Sequence, residues 1–218
     1  MNTQMIQKVY RGIYYLLGLL ILALGITLNT KTGLGVSPIV SVPYSISTIG
    51  HLNFGNITLL IYCLFVVIQF VLCGKNARLT DILQIPLAIV FTRIMNLFLG
   101  MYNFEMTALW QNFLLLVVAV VLTGIGAAMS VNMRLVPNPG DGIVQAIADR
   151  SHKNMGFVKN CFDLLNIIIT FCIGMLTGNG MIGIGFGTVV AVIGVGRTIA
   201  LFNHLFMNKM GQQAGMEA

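Results

Sequence analysis

The hydrophobic pattern of the chain is coarse. Six apolar runs, at about 12–29, 56–73, 80–100, 109–129, 157–176 and 181–205, each have the roughly 17–25 residues that a helix needs to cross a bilayer. Two of the polar interruptions are too long and too irregular for plain loops. One is "TKTGLGVSPIVSVPYSISTIGHLNFGN", Thr30 to Asn56, and the other is "VNMRLVPNPGDGIVQAIADRSHKNMG", Val131 to Gly156. Each opens with a Gly- or Pro-broken stretch, continues as a short apolar segment and ends in a polar turn. Segments of about 10–14 apolar residues are too short to span, and predict re-entrant or interfacial helices. The expected fold is all-α, a single membrane domain over residues 1–218 with six transmembrane helices and a broken half-helix after the first span of each half.

Composition agrees with the pattern. Hydrophobic residues make up 57% of the chain and charged residues 8%, with mean hydropathy +0.90. A soluble domain carries about 25% charged residues, so the solvent for this surface is lipid. Lys8 and Arg11 ahead of Ile13–Leu28 look like the start of a signal peptide. The run is long for one and lacks a small-x-small cleavage site, so it is read as a retained first span. The net charge of +6 comes from cations spread along the chain with no basic stripe, which argues against nucleic acid. Lys8, Arg11, Lys75, Arg78, Arg134, Arg150, Lys153, Lys159 and Lys209 fall on one side of the six-span arrangement and Lys31 on the other. That asymmetry predicts cytoplasmic N- and C-termini. Cys63, Cys73, Cys161 and Cys172 show no C-x-x-C spacing and read as small apolar residues. The three histidines lie far apart. No metal site, cofactor motif or nucleophile–base pair is visible, so neither a cofactor nor an enzymatic activity is expected.

The two long interruptions resemble each other. Ser37-Pro38-Ile39-Val40 aligns with Asp141-Gly142-Ile143-Val144, and Arg93 of "RIMNLF" aligns with Arg197 of "RTIALF", both at a spacing of 104. Asn53-Phe54-Gly55 aligns with Asn154-Met155-Gly156 after a three-residue gap. The reading is an internal repeat, about 10–104 and 105–209. Three spans per repeat turn the second copy over, relating the halves by a pseudo-two-fold axis in the membrane plane. The two half-helices then enter from opposite faces, and their N-termini approach near the midplane. Pro137, Pro139 and Gly140 break the chain so that the second one starts inside the membrane.

The candidate pathway follows from that geometry: Ser37, Pro38, Asn138, Gly140, Asp141, Asn160, Asp163, Asn166, Arg93 and Arg197. Ser37 and Asp141 are expected as helix N-caps, and the paired N-termini as an anion-attracting centre. Gly33 and Gly35 supply turn geometry. Asn160, Asp163, Asn166 and Thr170 share one helical face. Such a stripe either walls a pathway or makes interhelical hydrogen bonds. Asp163 can take a cation or a proton, or pair with an arginine. Arg93 and Arg197 either snorkel, clamp an anionic group, or pair with Asp163 or Asp81. The glycines of "GIGFG", Gly183, Gly185 and Gly187, predict close helix contact on the sixth span.

"TGLGVSPIVSVPYSIS" after the first span, the turn "NFGNI", the "NPGDGI" of the second half and the glycine-rich sixth span resemble bacterial YczE/YitT-type membrane proteins, from about Gly25 to Phe202. Members carry Trp-Asp after the first proline where this chain has Ile39-Val40, so a polar role at that pair is not carried over. The resemblance implies a multi-pass protein of the bacterial inner membrane and does not imply a substrate. Three readings are open. The first is a small permease, a secondary transporter or channel-like, for an ion or small solute that the helix dipoles would favour as an anion. The others are a six-span substrate-capture subunit working with an ATPase, and a scaffold or regulator. Expected partners are the lipid bilayer and the small-molecule or ion substrate, with homo-oligomerisation left open.

Overall fold

The computed structural model describes residues 3–74, 79–102 and 108–216, and among them every regular element is helical. Six helices are long and apolar enough to cross a membrane: α1 (Thr3–Lys31), α3 (Phe54–Cys73), α4 (Gln84–Met101, entered through a 3-10 turn at Leu79–Leu83), α5 (Leu109–Asn132), α7 (Met155–Leu176) and α8 (Phe186–Gln213). Two are short, α2 (Pro38–Ile49) and α6 (Pro139–Ser151). The order long, short, long, long therefore occurs twice.

Local chemistry sets the ends of these helices. Pro38 and Pro139 open the short helices, where proline's fixed φ suits the first turn and its missing N–H costs nothing. His51 and His152 end them in the left-handed region at φ 51° and 53°. Asn53 and Asn154 then cap α3 and α7, accepting from the Asn56 and Gly156 amides, which satisfies free N–H groups of each first turn. After α1 and α5 the chain turns through Gly33 at φ 66° and Arg134 at φ 48°. Arginine resists that conformation. Arg134 is held there by Arg11, whose Nη2 donates to the Arg134 carbonyl (2.9 Å) and whose Nε donates to Met133 O (2.7 Å).

These recurrences correct the expected register. Residues 33 and 134, 37 and 138, 51 and 152, and 53 and 154 are each 101 apart, with no gap between the first motif and the last. At that spacing Ser37 aligns with Asn138, where the expected alignment set it against Asp141. Asn138 is the N-cap of α6, and Asp141 sits inside its first turn. The spacing of 104 is kept by Ile39-Val40 with Ile143-Val144 and by Arg93 with Arg197.

The centre of the bundle is the crossing of α1 and α5. A Cβ on Gly25 would lie 2.5 Å from Thr123 N, one on Gly18 2.7 Å from Ser130 N, and one on Gly126 would press on Leu22 N. The paired numbers run in opposite senses, so the helices are antiparallel, and bare glycine faces let the backbones touch. Around this pair α4 packs on α1 and α3, and α8 packs on α5. The short helix α2 lies against α3 and α7, and α6 lies against the same two helices. Gly194 sits on Val120, and Gly124 on Thr198. The rest of α8 is almost bare, as a lipid-facing helix would be. Its start corrects the sixth expected run. α8 begins at Phe186, so Gly183 and Gly185 lie in the turn before it, Gly183 against Tyr44 of α2 and Gly185 against Leu34 in the lead-in to α2.

Candidate functional site

The starts of the two short helices meet. A Cβ on Gly140 would be 2.5 Å from Ile39 Cδ1, so the first turn of α2 touches the first turn of α6. On the two sides of this meeting point the structure differs. At the Lys31 end, the extended lead-in to α2 is tied to the lead-in of α8. Val36 N donates to Gly183 O (3.0 Å), Gly187 N donates to Leu34 O (2.7 Å), and Thr188 Oγ1 donates to Gly183 O (3.3 Å). Gly35, at φ 108°, has no room for a side chain, since a Cβ would meet Gly185 N at 2.6 Å. At the Arg134 end, the lead-in to α6 is held to α1 instead, with the Tyr15 hydroxyl donating to Val136 O at 2.7 Å. Among the described residues no backbone hydrogen bond joins that lead-in to the start of α4. A vestibule of about 1320 Å3 opens there.

Its wall includes Gln69, Asp81, Arg134, Asn138, Asp141, Gly142, Gln145 and Asp149. Toward the floor the polar groups are buried. Gln69 is 6% exposed and Gln84 fully enclosed. Gly142 allows this, because a Cβ there would fall 2.7 Å from Gln69 Oε1 and 2.8 Å from Gln84 Oε1. Neither of those oxygens has a hydrogen-bond partner, nor has Gln84 Nε2. The donors of α6's first turn are in use. Gly140 N donates to Asn138 Oδ1 (3.1 Å), while Asp141 N and Gly142 N donate to Asn138 O (2.9 and 2.8 Å). The Asn138 side chain is also within reach of the buried Tyr62 hydroxyl. The carboxylate of Asp141 is half-buried and within electrostatic range of Asp163 and Lys159.

Asp163 is 7% exposed on α7. Its Oδ2 lies 3.8 Å from Lys159 Nζ, and its Oδ1 has no partner. One and two turns on, Asn166 Nδ2 donates to Phe162 O, and Thr170 Oγ1 donates to Asn166 O and meets Ser41 Oγ at 2.8 Å. The polar face of α7 thus runs from the Asp141 neighbourhood to the first turn of α2.

Of the residues singled out in the sequence, Pro38, Asn138, Gly140, Asp141, Asp163 and Asn166 gather around this centre. Ser37 adjoins it but makes no side-chain cap bond. Asn160 does not join the stripe. It is exposed near the start of α7, turned away from the face on which Val158 and Phe162 are buried. Arg93 is exposed and donates from Nη1 to Asn56 Oδ1 (2.8 Å), so it pairs with neither Asp163 nor Asp81. Arg197 is exposed and makes no hydrogen bond or ion pair among the described residues. The sequence reading missed Tyr62, Gln69, Gln84 and Ser41. A signal existed for the glutamines, since each is a lone amide in an apolar stretch, "VVIQFVL" and "LQIPLAI". Among the described residues no group of three or more His, Cys, Asp or Glu side chains has metal-binding geometry.

Residues 9–204 match the family described as "Family of unknown function (DUF6198)". The chain is 27% identical over 192 residues to "Uncharacterized membrane protein YczE" of Bacillus subtilis (strain 168), covering 86% of this chain and 82% of that protein. It is 26% identical over 197 residues to an "Uncharacterized protein" of Haemophilus influenzae, covering 88% and 84%. It is 25% identical over 172 residues to "Uncharacterized protein YyaS" of B. subtilis, covering 79% and 83%. No solved structure matches the chain.

Proposed function

The chain belongs to the DUF6198 family, a YczE-type family of membrane proteins, and we propose that it is a small permease of the bacterial inner membrane working by alternating access. The observation that carries this reading is the meeting of the two short helices between one closed side and one open side. Broken backbone at bilayer depth persists only where it is buried in protein or lines a cavity, and here it does both. Two three-span repeats of opposite orientation are the second part of the proposal. The spacing of 101 supports it, and so do the contacts. Adding 101 to Gly25 and subtracting it from Thr123 turns that pair into Gly126 and Leu22, which also touch. The same operation turns Ser41 and Thr170 into Gly142 and Gln69, which touch as well. With the Arg134 end in the cytoplasm, the orientation that the distribution of Lys and Arg supports, the conformation is open inward and sealed outward.

The test combines flux and accessibility in oriented proteoliposomes. A cysteine-free form carrying Gln145→Cys, exposed on the vestibule wall, is expected to react with an impermeant maleimide from the Arg134 face. A screen of ions and small solutes is expected to reveal saturable flux that Asp163→Asn reduces. Labelling from the opposite face, or no saturable flux in the screen, refutes the reading.

A further inference from the structure

We infer that the floor of the vestibule binds a compact monovalent cation, an alkali ion or the ammonium group of a small amine. This deepens the permease reading and rests on it for what the site is for. Paired helix N-termini favour an anion only where their N–H groups are free to bind one. In α6 they are not free, because Asn138 takes the Gly140, Asp141 and Gly142 amides through its side chain and its carbonyl. The partial positive charge of the helix end is already faced by the Asp141 carboxylate in its own first turn, the usual way a side chain complements a helix dipole.

What remains unspent at the floor is mostly acceptors, with Gln84 Nε2 the one amide donor among them. Gln69 Oε1 and Gln84 Oε1 converge on Gly142, next in the chain to Asp141, and neither has a partner. Gln69 is 6% exposed and lines the vestibule. Asp141 accepts no hydrogen bond from a described side chain, and across from it Asp163 Oδ1 is also unpartnered. The nearest cation, Lys159, is engaged by Asp163 Oδ2. Arg134 and Arg150 are exposed residues of the vestibule wall. A buried acceptor without a donor is costly. Apart from Gln84 Nε2, also unpartnered, the groups left there are carboxylate and amide oxygens, the ligand set of hard monovalent cations, as coordinating carbonyls are in channels, and they equally suit the three N–H donors of an ammonium group.

The experiment is thermal unfolding of the purified full-length chain in detergent at constant ionic strength, with choline chloride as the balancing salt. Sodium, potassium and methylammonium chloride form the cation arms, and choline sulfate and choline phosphate the anion arms. A saturable rise in Tm with at least one small cation is expected, and which cation raises it separates an alkali ion from an ammonium group. Asp141→Asn is expected to weaken the apparent affinity by about tenfold or more, the loss of one charge-assisted contact. Gln69→Leu should weaken it less, and Gln111→Ala, on α5 and outside the vestibule lining, should leave it unchanged. Asp141→Ser serves if the asparagine variant fails to fold. The inference is overturned if no cation stabilises the wild type, if stabilisation survives both Asp141 variants, or if sulfate or phosphate stabilises instead. Anion stabilisation would leave the permease reading standing. Cation stabilisation without flux would sink the permease reading and keep the site.

Discussion

The crossing of α1 and α5 can be tested by adding single methyl groups. Alanine at position 126 would put its Cβ against the backbone nitrogen of Leu22 and within 2.7 Å of the Gly18 carbonyl, closer than real Cβ contacts come. Neither neighbour is the tip of a flexible side chain, so the helices must separate or shift. Overpacking of this kind costs about 1–3 kcal/mol. Replacing a mid-helix glycine returns about 0.5–1 kcal/mol of backbone entropy, so the net loss is roughly 1–2 kcal/mol. At about 2–4 °C per kcal/mol for a chain of this size, Gly126→Ala is expected to lower Tm by roughly 2–8 °C. If the repeat is real, Gly25→Ala should behave alike, since its Cβ would lie 2.5 Å from Thr123 N. Gly196→Ala is the control, with nothing within 4 Å of its Cβ on α8, and should be neutral or slightly stabilising. The assay is thermal unfolding in detergent, with size-exclusion chromatography to confirm a folded sample. Wild-type stability in Gly126→Ala, or an equal loss in Gly196→Ala, refutes the packing argument. Unequal losses at 25 and 126 refute the symmetry while leaving the packing in place.

Two further predictions concern the closed side and the lipid face. Thr188→Val removes the hydroxyl that donates to Gly183 O and accepts from Gly185 N at the seal, and should increase maleimide labelling of Val36→Cys from the Lys31 face; unchanged labelling would show that the seal does not depend on it. Arg197→Leu removes an exposed, unbonded guanidinium from the twelfth position of α8 (186 counted as the first), where a charge costs about 2.5–3.5 kcal/mol at mid-span, and should raise Tm; a fall would mean that Arg197 has a partner outside the chain.

Much of the fold was legible because lipid imposes a length and an apolarity on every span. The six runs and the two interruptions follow from that constraint, though α1 starts nine residues before its expected run, at Thr3 against 12, and α8 starts five after, at Phe186 against 181. There, "GIGFG" is apolar enough to look like helix, while its glycines serve an extended lead-in. The expected alignment followed Ile-Val after the break, as in Ile39-Val40 and Ile143-Val144, whereas the turns and caps recur at a spacing of 101. The feature that sets the backbone is the cap-proline pair, Ser37-Pro38 and Asn138-Pro139, and it was present in the sequence. Asn160 lies two residues from each of the buried Val158 and Phe162, and so faces away from the side of α7 that they cover. The glutamines carry no periodic signature, and a lone amide in a span reads as an interhelical hydrogen bond until its neighbours are known. The seal between Leu34–Val36 and Gly183–Gly187 is made chiefly by backbone atoms from distant parts of the chain, and backbone hydrogen bonding leaves almost no trace in side-chain identity.

The departures from symmetry are the more informative part of the arrangement. α3 packs on α4, while α7 has no comparable contact with α8. The lead-in to α2 is sealed against the lead-in of α8, while the lead-in to α6 is tied to α1 beside an open vestibule. On the proposed repeat, two similar sequences hold unlike conformations in one molecule. Each conformation is then accessible to either repeat at modest cost, because the local chemistry that sets the turns and caps is shared. Exchanging the two would part Leu34–Val36 from Gly183–Gly187 and close the Arg134 end, leaving the contact of Ile39 with Gly140 near the pivot. The pair α1 and α5, locked by glycines whose contacts the two-fold maps onto each other, is the element that need not change in such an exchange. The proposed cycle would need a rigid axis and unlike flanks, and the glycine contacts of α1 with α5 and the one-sided seal are the features it would draw on.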